Sequence, residues 1–176
     1  MKRITMAVLA AAGLVVLAKP AVAQTKLNVG LSVVNPMSDW GTTDKMGFGA
    51  NVGATLGLGT APVHLRIEGS YEKTSHDGVD GNFTVMGGMA NLVYPFSAKG
   101  AIKPYIIGGL GYNSTKESVS GQSKGAVGFG GGLGFNFALS SASMYIEGRY
   151  LTHKANSATF AQVPVTVGLS FPLGGK

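Results

Sequence analysis

Val127-Gly128-Phe129-Gly130-Gly131-Gly132-Leu133-Gly134-Phe135-Asn136-Phe137-Ala138-Leu139 places a bulky apolar residue on every odd position except Gly131, and glycine, asparagine or alanine on every even one. A period of two with one bulky face marks a β-strand, because successive side chains leave opposite faces of a sheet. The stretch is also longer than the roughly 5–6 residues of an average soluble strand. It suits the roughly 9–11 residues that a tilted strand needs to cross a bilayer.

The pattern recurs on both sides. In 46–58, Met46, Phe48, Ala50, Val52, Ala54, Leu56 and Leu58 alternate with glycine, asparagine and threonine. Reading outward in this way predicts strands over 26–35, 46–58, 63–72, 82–94, 103–113, 125–139, 144–153 and 163–171, eight in all. The segments 36–45, 73–81, 114–124 and 154–162 read as long polar connections. By contrast, 59–62 and 140–143 read as tight turns, and 95–102 as intermediate. Long loops on one rim and short turns on the other predict an all-β, eight-stranded antiparallel transmembrane β-barrel with its short turns in the periplasm. Lipid enforces closure, since every unpaired N–H or C=O in hydrocarbon costs several kcal/mol.

A soluble, lipocalin-like barrel would share the length and the alternation. Its outer face would have to be polar, whereas the face opposite the bulky one here is glycine, alanine and asparagine. Most of the 28 glycines keep register with the alternation and read as the small residues of a crowded inner wall.

The N-terminus has its own pattern. Lys2 and Arg3 precede an apolar run over 4–18, and Ala21-Val22-Ala23 supplies small residues before Gln24. This predicts a signal peptide over 1–23, cleaved between Ala23 and Gln24, with the barrel domain over 24–176. The run is shorter than the roughly 20 residues of a membrane-spanning helix. Cleavage removes Lys2, Arg3 and Lys19, so the formal charge falls from +6 to +3 (11 basic less 8 acidic residues). Charged residues are 12% of the chain, about half the usual share. No basic cluster interleaved with aromatics appears, so nucleic acid is not an expected partner. Cysteine is absent, which excludes disulfides and thiolate chemistry.

Charges inside strands are the informative polar residues. His64, Arg66 and Glu68 share one face of the third strand, and Glu147 and Arg149 share one face of the seventh. A charge facing lipid would cost roughly 2–4 kcal/mol for arginine at the midplane, so these five are expected to point inward. Two arginines and two glutamates in a narrow lumen are expected to form a structural ion-pair network. The interior of eight strands holds little besides side chains.

Asn91-Leu92-Val93-Tyr94, Lys103-Pro104-Tyr105-Ile106-Ile107-Gly108-Gly109-Leu110-Gly111-Tyr112, Glu147-Gly148-Arg149-Tyr150 and Val163-Pro164-Val165-Thr166-Val167-Gly168-Leu169-Ser170-Phe171 together resemble the outer-membrane β-barrel domain family, which includes OmpA-like and opacity-type small porin-like proteins. The resemblance covers essentially the whole of 24–176. It implies an outer-membrane location, insertion by the barrel insertion machinery, and no catalysis. Family barrels usually end on an aromatic residue, whereas Phe171 is followed here by Pro172-Leu173-Gly174-Gly175-Lys176. The peptidoglycan-binding domain that follows the barrel in OmpA proper does not follow here, so no cell-wall tether is expected.

Catalytic and ligand motifs are weak. Gly121-Gln122-Ser123-Lys124-Gly125 matches G-x-S-x-G, but no helix follows to form a nucleophile elbow. His153 near Ser157 departs from the His-x-Ser spacing of the lipid A deacylases, and Ser75-His76-Asp77 are consecutive residues in a loop. Neither His76 with Asp77 and Asp80 nor any other set has the ligand density of a metal site, so neither metal nor cofactor is expected. Trp40, Tyr71, Tyr94, Tyr105, Tyr112, Tyr150 and Phe171 fall near strand ends and are expected in interfacial girdles. The expected role is structural or surface-interactive, with outer-membrane lipid as partner and extracellular ligands met through four loops. The alternatives are a small-solute or ion channel, a lipid-modifying outer-membrane enzyme and a soluble lipocalin-like binder.

Overall fold

Alternation continues through eight strands: β1 (Lys26–Met37), β2 (Gly47–Gly57), β3 (His64–Ser75), β4 (Asn82–Pro95), β5 (Ile102–Glu117), β6 (Ser123–Ala138), β7 (Ser143–Ala155) and β8 (Ala158–Pro172). The computed structural model describes residues 25–41, 44–78, 80–97, 100–118, 121, 123–155 and 158–173. The expected signal peptide over 1–23 and its cleavage site at Ala23 and Gln24 lie outside the described residues. Each strand pairs with the next, and β8 returns to β1, so the sheet is a closed barrel. The closing seam runs antiparallel from Lys26 opposite Pro172 to Met37 opposite Ala161. No strand is left with a free edge for lipid to meet.

A line followed from Lys26 through its paired residues Thr55, Arg66, Asn91, Gly109, Gly130, Leu151 and Gln162 comes back to β1 at Pro36. The return is ten residues further along (36 minus 26), which for eight strands sets a tilt of about 40° and a backbone radius of about 8 Å. That interior is filled by side chains rather than water.

Parity decides the two faces. Leu31, Phe48, Val52, Leu110, Val127, Phe129, Leu133 and Val167 are exposed on the outside, where a soluble protein would be polar. Leu31, at the middle of β1, is 72% exposed. Leu31→Arg is expected to lower stability in phospholipid vesicles by about 2–4 kcal/mol, read as a shifted urea midpoint. An unshifted midpoint would place this face outside the hydrocarbon. Tyr71, Tyr112 and Tyr150 are exposed towards one end of their strands, and Tyr94, Phe96 and Phe171 towards the other, as two girdles require. Tyr105 does not belong with them: it is 1% exposed, and its odd position in β5 sends it into the lumen.

The expected loop lengths are corrected as well. β3 continues to Ser75 and β5 to Glu117, while β6 begins at Ser123 and β8 at Ala158. Most of 114–124 and 154–162, and the first three residues of 73–81, are therefore paired hairpin arms rather than loops. Polarity there marks the exit from lipid rather than the end of pairing. The first connection holds a single helical turn, Ser38–Gly41 (α1), joined to β8 by a bridge between Ser38 and Phe160. At the opposite end the turns are tight. Ala142 O accepts from Leu139 N at 2.9 Å, and Gly59 takes φ +65°, where a side chain would be strained.

Candidate functional site

β3 and β7 stand four strands apart, on opposite walls. The lumen is narrow enough for their side chains to meet at its centre. Arg66 Nη1 donates to Glu147 Oε2 at 2.8 Å, and Arg66 Nε reaches Thr55 Oγ1 at 3.3 Å. Arg149 donates from Nε to Glu147, from Nη1 to Glu68, and from Nη2 to Glu68 Oε2 at 3.0 Å. Glu68 also accepts from Asn91 Nδ2 at 3.1 Å, and Glu147 from the Tyr105 hydroxyl at 2.6 Å. All four charged groups are buried, and each carboxylate is shared between partners on different strands. The members of such a cluster neutralise one another, and it is costly to break from one side.

The structure thus brings Arg66, Glu68, Glu147 and Arg149 together. His64 is on the same face but lies at the start of β3, towards the end with the tight turns. Among the described residues it has no hydrogen bond or ion pair with the other four.

Two tyrosines complete the plug. The Arg66 guanidinium carbon lies 5.6 Å from the Tyr105 ring centroid and 5.5 Å from that of Tyr145, within cation–π reach of both. Each tyrosine lies against a glycine directly across the ladder, Tyr105 on Gly134 and Tyr145 on Gly168. A Cβ at Gly134 would overlap the Tyr105 ring. Glycine on this wall makes room for the aromatic that fills it.

Further polar pairs line the lumen on either side of the cluster. Asn28 bridges Thr55 at 2.7 Å and Ser170 at 2.6 Å, and Ser32 meets Thr166 at 2.9 Å. Further along β3 a cavity of about 30 Å³ remains, bordered by Ser32, Asn51, Glu68, Ser70, Glu72 and Thr166 among others. That is room for a water molecule or two, not for a solute.

At the end away from the tight turns, Asp44 is buried and accepts from Thr74 Oγ1 at 3.1 Å, with His76 Nδ1 at 3.2 Å. Asp44 and His76, which fall in the segments 36–45 and 73–81 read as polar connections, clamp the start of β2 to the end of β3. Lys45 pairs with Asp77 at 2.8 Å. His76 meets Phe83 edge-on, Phe83 meets Phe160, and Phe160 stacks on His153. His153 Nε2 lies 3.3 Å from Thr115 Oγ1, while Ser157 lies outside the described residues. Ser123 of the G-x-S-x-G match hydrogen-bonds Ser114 at 2.9 Å inside a strand pair, so no elbow exists there.

Tyr145, Asn91, Thr55, Glu72 and Gln162 join the interior without having been singled out from sequence, and Tyr105 joins it in place of an expected girdle. Parity could have found them. Tyr105 shares its face with Ile107 and Gly109, Tyr145 with Glu147, and Glu72 with Arg66 and Glu68.

The family model of the outer membrane protein beta-barrel domain matches residues 5–171. Among solved structures, Neisserial surface protein A aligns with a TM-score of 0.67 at 16% identity, covering 84% of this chain and 96% of that one. A major outer membrane protein from Thermus thermophilus aligns at 0.56 with 12% identity, covering 84% and 98%. Ail, the attachment invasion locus protein of Yersinia pestis, aligns at 0.51 with 20% identity, covering 84% and 97%. One structure of Ail holds the heparin analogue sucrose octasulfate. No match is found among curated proteins. At these identities the likeness to solved structures is one of fold.

Proposed function

Because the chain belongs to the outer membrane protein beta-barrel domain family and sits in the lipid of a bacterial outer membrane, we propose that it serves as a closed scaffold presenting hairpin arms at the cell surface. The observation that carries this reading is the lumen, closed across its middle by Arg66, Glu147, Arg149 and Glu68, with Tyr105 and Tyr145 over them. A plugged interior moves function to the outer end. There the arms of β3 to β6 run past Tyr71 and Tyr112 before turning, and function carried on loops over a rigid scaffold is the usual arrangement. Residues 1–23 act in export, with removal after Ala23, and insertion proceeds through the barrel insertion machinery. No catalytic step forms part of this reading.

The ligand class to try first is suggested by Ail with its sulfated sugar. Lys45, Lys73, Lys116, Lys124 and Lys154 lie in the outer half of this barrel, interspersed with Asp39, Asp77, Asp80 and Glu117. In a planar bilayer, the purified barrel is expected to give no porin-like current steps. Cells displaying it are expected to adhere to a heparin-coated surface, and to lose that adhesion when 76–81 and 118–122 are replaced by two-residue Asn-Gly turns. Steady conductance with adhesion unaffected by the replacement would favour the channel instead.

A further inference from the structure

Three strands that run away from the tight-turn end begin on a basic residue. Lys26 is the first residue of β1, His64 the first of β3 and Lys103 the second of β5. Parity puts all three on the inner face, Lys26 with Asn28, His64 with Arg66 and Lys103 with Tyr105, whose side chains are buried in the lumen. Asn136, paired with Lys103 on the β5–β6 ladder, adds an amide to the same rim. No carboxylate answers them. Of the eight Asp and Glu residues, Glu68 and Glu147 belong to the central cluster, and the other six, from Asp39 to Glu117, lie on the arm side of it. Among the described residues, Lys26, His64 and Lys103 take part in no ion pair.

The two lysines also converge. They start on opposite walls, and both are exposed, so each stem has water to extend into. Yet Lys103 is the strongest of the charges acting on Lys26, ahead of Arg66, and Lys26 is the strongest acting on His64. All of these repel. Like charges drawn together over a concave mouth that lacks an acid focus a positive field there, which attracts an anion. The floor beneath is closed, because Arg66 lies nearer the start of β3 than Glu68 does and has the Tyr105 and Tyr145 rings against it. A phosphate group suits this seat. It carries up to about two negative charges at neutral pH, one for each ammonium, and its oxygens accept from several donors at once, a contact that lysine makes as a point charge.

We propose that the tight-turn mouth of the barrel is a binding site for one phosphate group, held between Lys26 and Lys103 with His64 and Asn136 beside them. The group comes either from a soluble phosphate or from the headgroup of an anionic phospholipid, since Tyr94 and Phe171 are exposed at this same end, where a girdle marks the lipid interface. The site lies at the opposite end from the hairpin arms and is independent of any ligand they take.

A ligand bound only by the folded barrel raises its melting temperature. The mature chain is to be melted in an uncharged detergent with and without millimolar sodium phosphate, sodium chloride holding the ionic strength constant. A second series uses vesicles of phosphatidylcholine with and without phosphatidylglycerol. The expected result is a midpoint about 2–4 °C higher in at least one series, the rise being lost in Lys26→Gln combined with Lys103→Gln and kept in Lys103→Arg. Both lysines are exposed, so the doubly substituted barrel is expected to fold. A rise with sodium phosphate assigns the site to soluble phosphates. A rise with phosphatidylglycerol alone, lost in the same variant, assigns it to a lipid headgroup. No rise in either series, or a rise that persists without both lysines, would overturn the proposal.

Discussion

Glu147→Ala is expected to destabilise the folded barrel by about 3–5 kcal/mol, the cost of breaking a buried ion pair from one side. Glu147 is 1% exposed and accepts from three groups on three strands: Arg66, Tyr105 and Arg149. Alanine would take from Arg66 the carboxylate it pairs with, leave Arg149 with Glu68 alone, and leave the Tyr105 hydroxyl without its acceptor. Water cannot enter freely to compensate, because the interior is filled. The loss should appear as a lower denaturant midpoint in lipid vesicles. It should also appear in heat-modifiable gel mobility, as conversion to the unfolded band at a lower temperature. Removing both sides tests the cause. In Arg66→Met combined with Glu147→Leu the desolvated charges go together, and most of the stability should return. If Glu147→Ala melts like the unmodified chain, the cluster contributes nothing to the fold.

The second large effect concerns glycine. Gly134→Ala is expected to cost about 2–5 kcal/mol, combining overpacking with loss of the hydrogen bond from Tyr105 to Glu147. The three atoms nearest the added methyl all belong to Tyr105, and the ring cannot swing aside while its hydroxyl stays on Glu147. The same substitution in a Tyr105→Ala background should cost less than about 0.5 kcal/mol, so the two changes should be strongly non-additive. Equal costs in both backgrounds would mean that Gly134 is required for its backbone rather than for the ring it accommodates.

How far the sequence could be read depended on what each residue's neighbours reveal. Val127 to Leu139 announces its faces because bulky and small residues take turns, interrupted only at Gly131, and the charges at Arg66, Glu68, Glu147 and Arg149 break an apolar pattern conspicuously enough to demand an inward aspect. Tyr105 was harder. An aromatic near a strand end fits a girdle equally well, and only its parity relative to Ile106 and Leu110 sends it inside. The reach of β5 to Glu117 and the early start of β8 were hidden because hairpin arms above the membrane are as polar as loops. Glu72 and Gln162 lie 90 residues apart, and their meeting depends on a ten-residue stagger that alternation leaves undetermined, since a pattern of period two sets the face but not the offset between strands.

The bracing of β3 to β7 also imposes an order on biogenesis. Arg66 and Glu147 are 81 residues apart in the chain, as are Glu68 and Arg149. While only the first six strands are in place, β3 carries an arginine and a glutamate whose counter-charges have not arrived. Committing that half-made sheet to hydrocarbon would expose those charges along with its open edges. The charges of β3 therefore find their partners only once β7 is in the sheet, so the first strands of the barrel depend on its last ones.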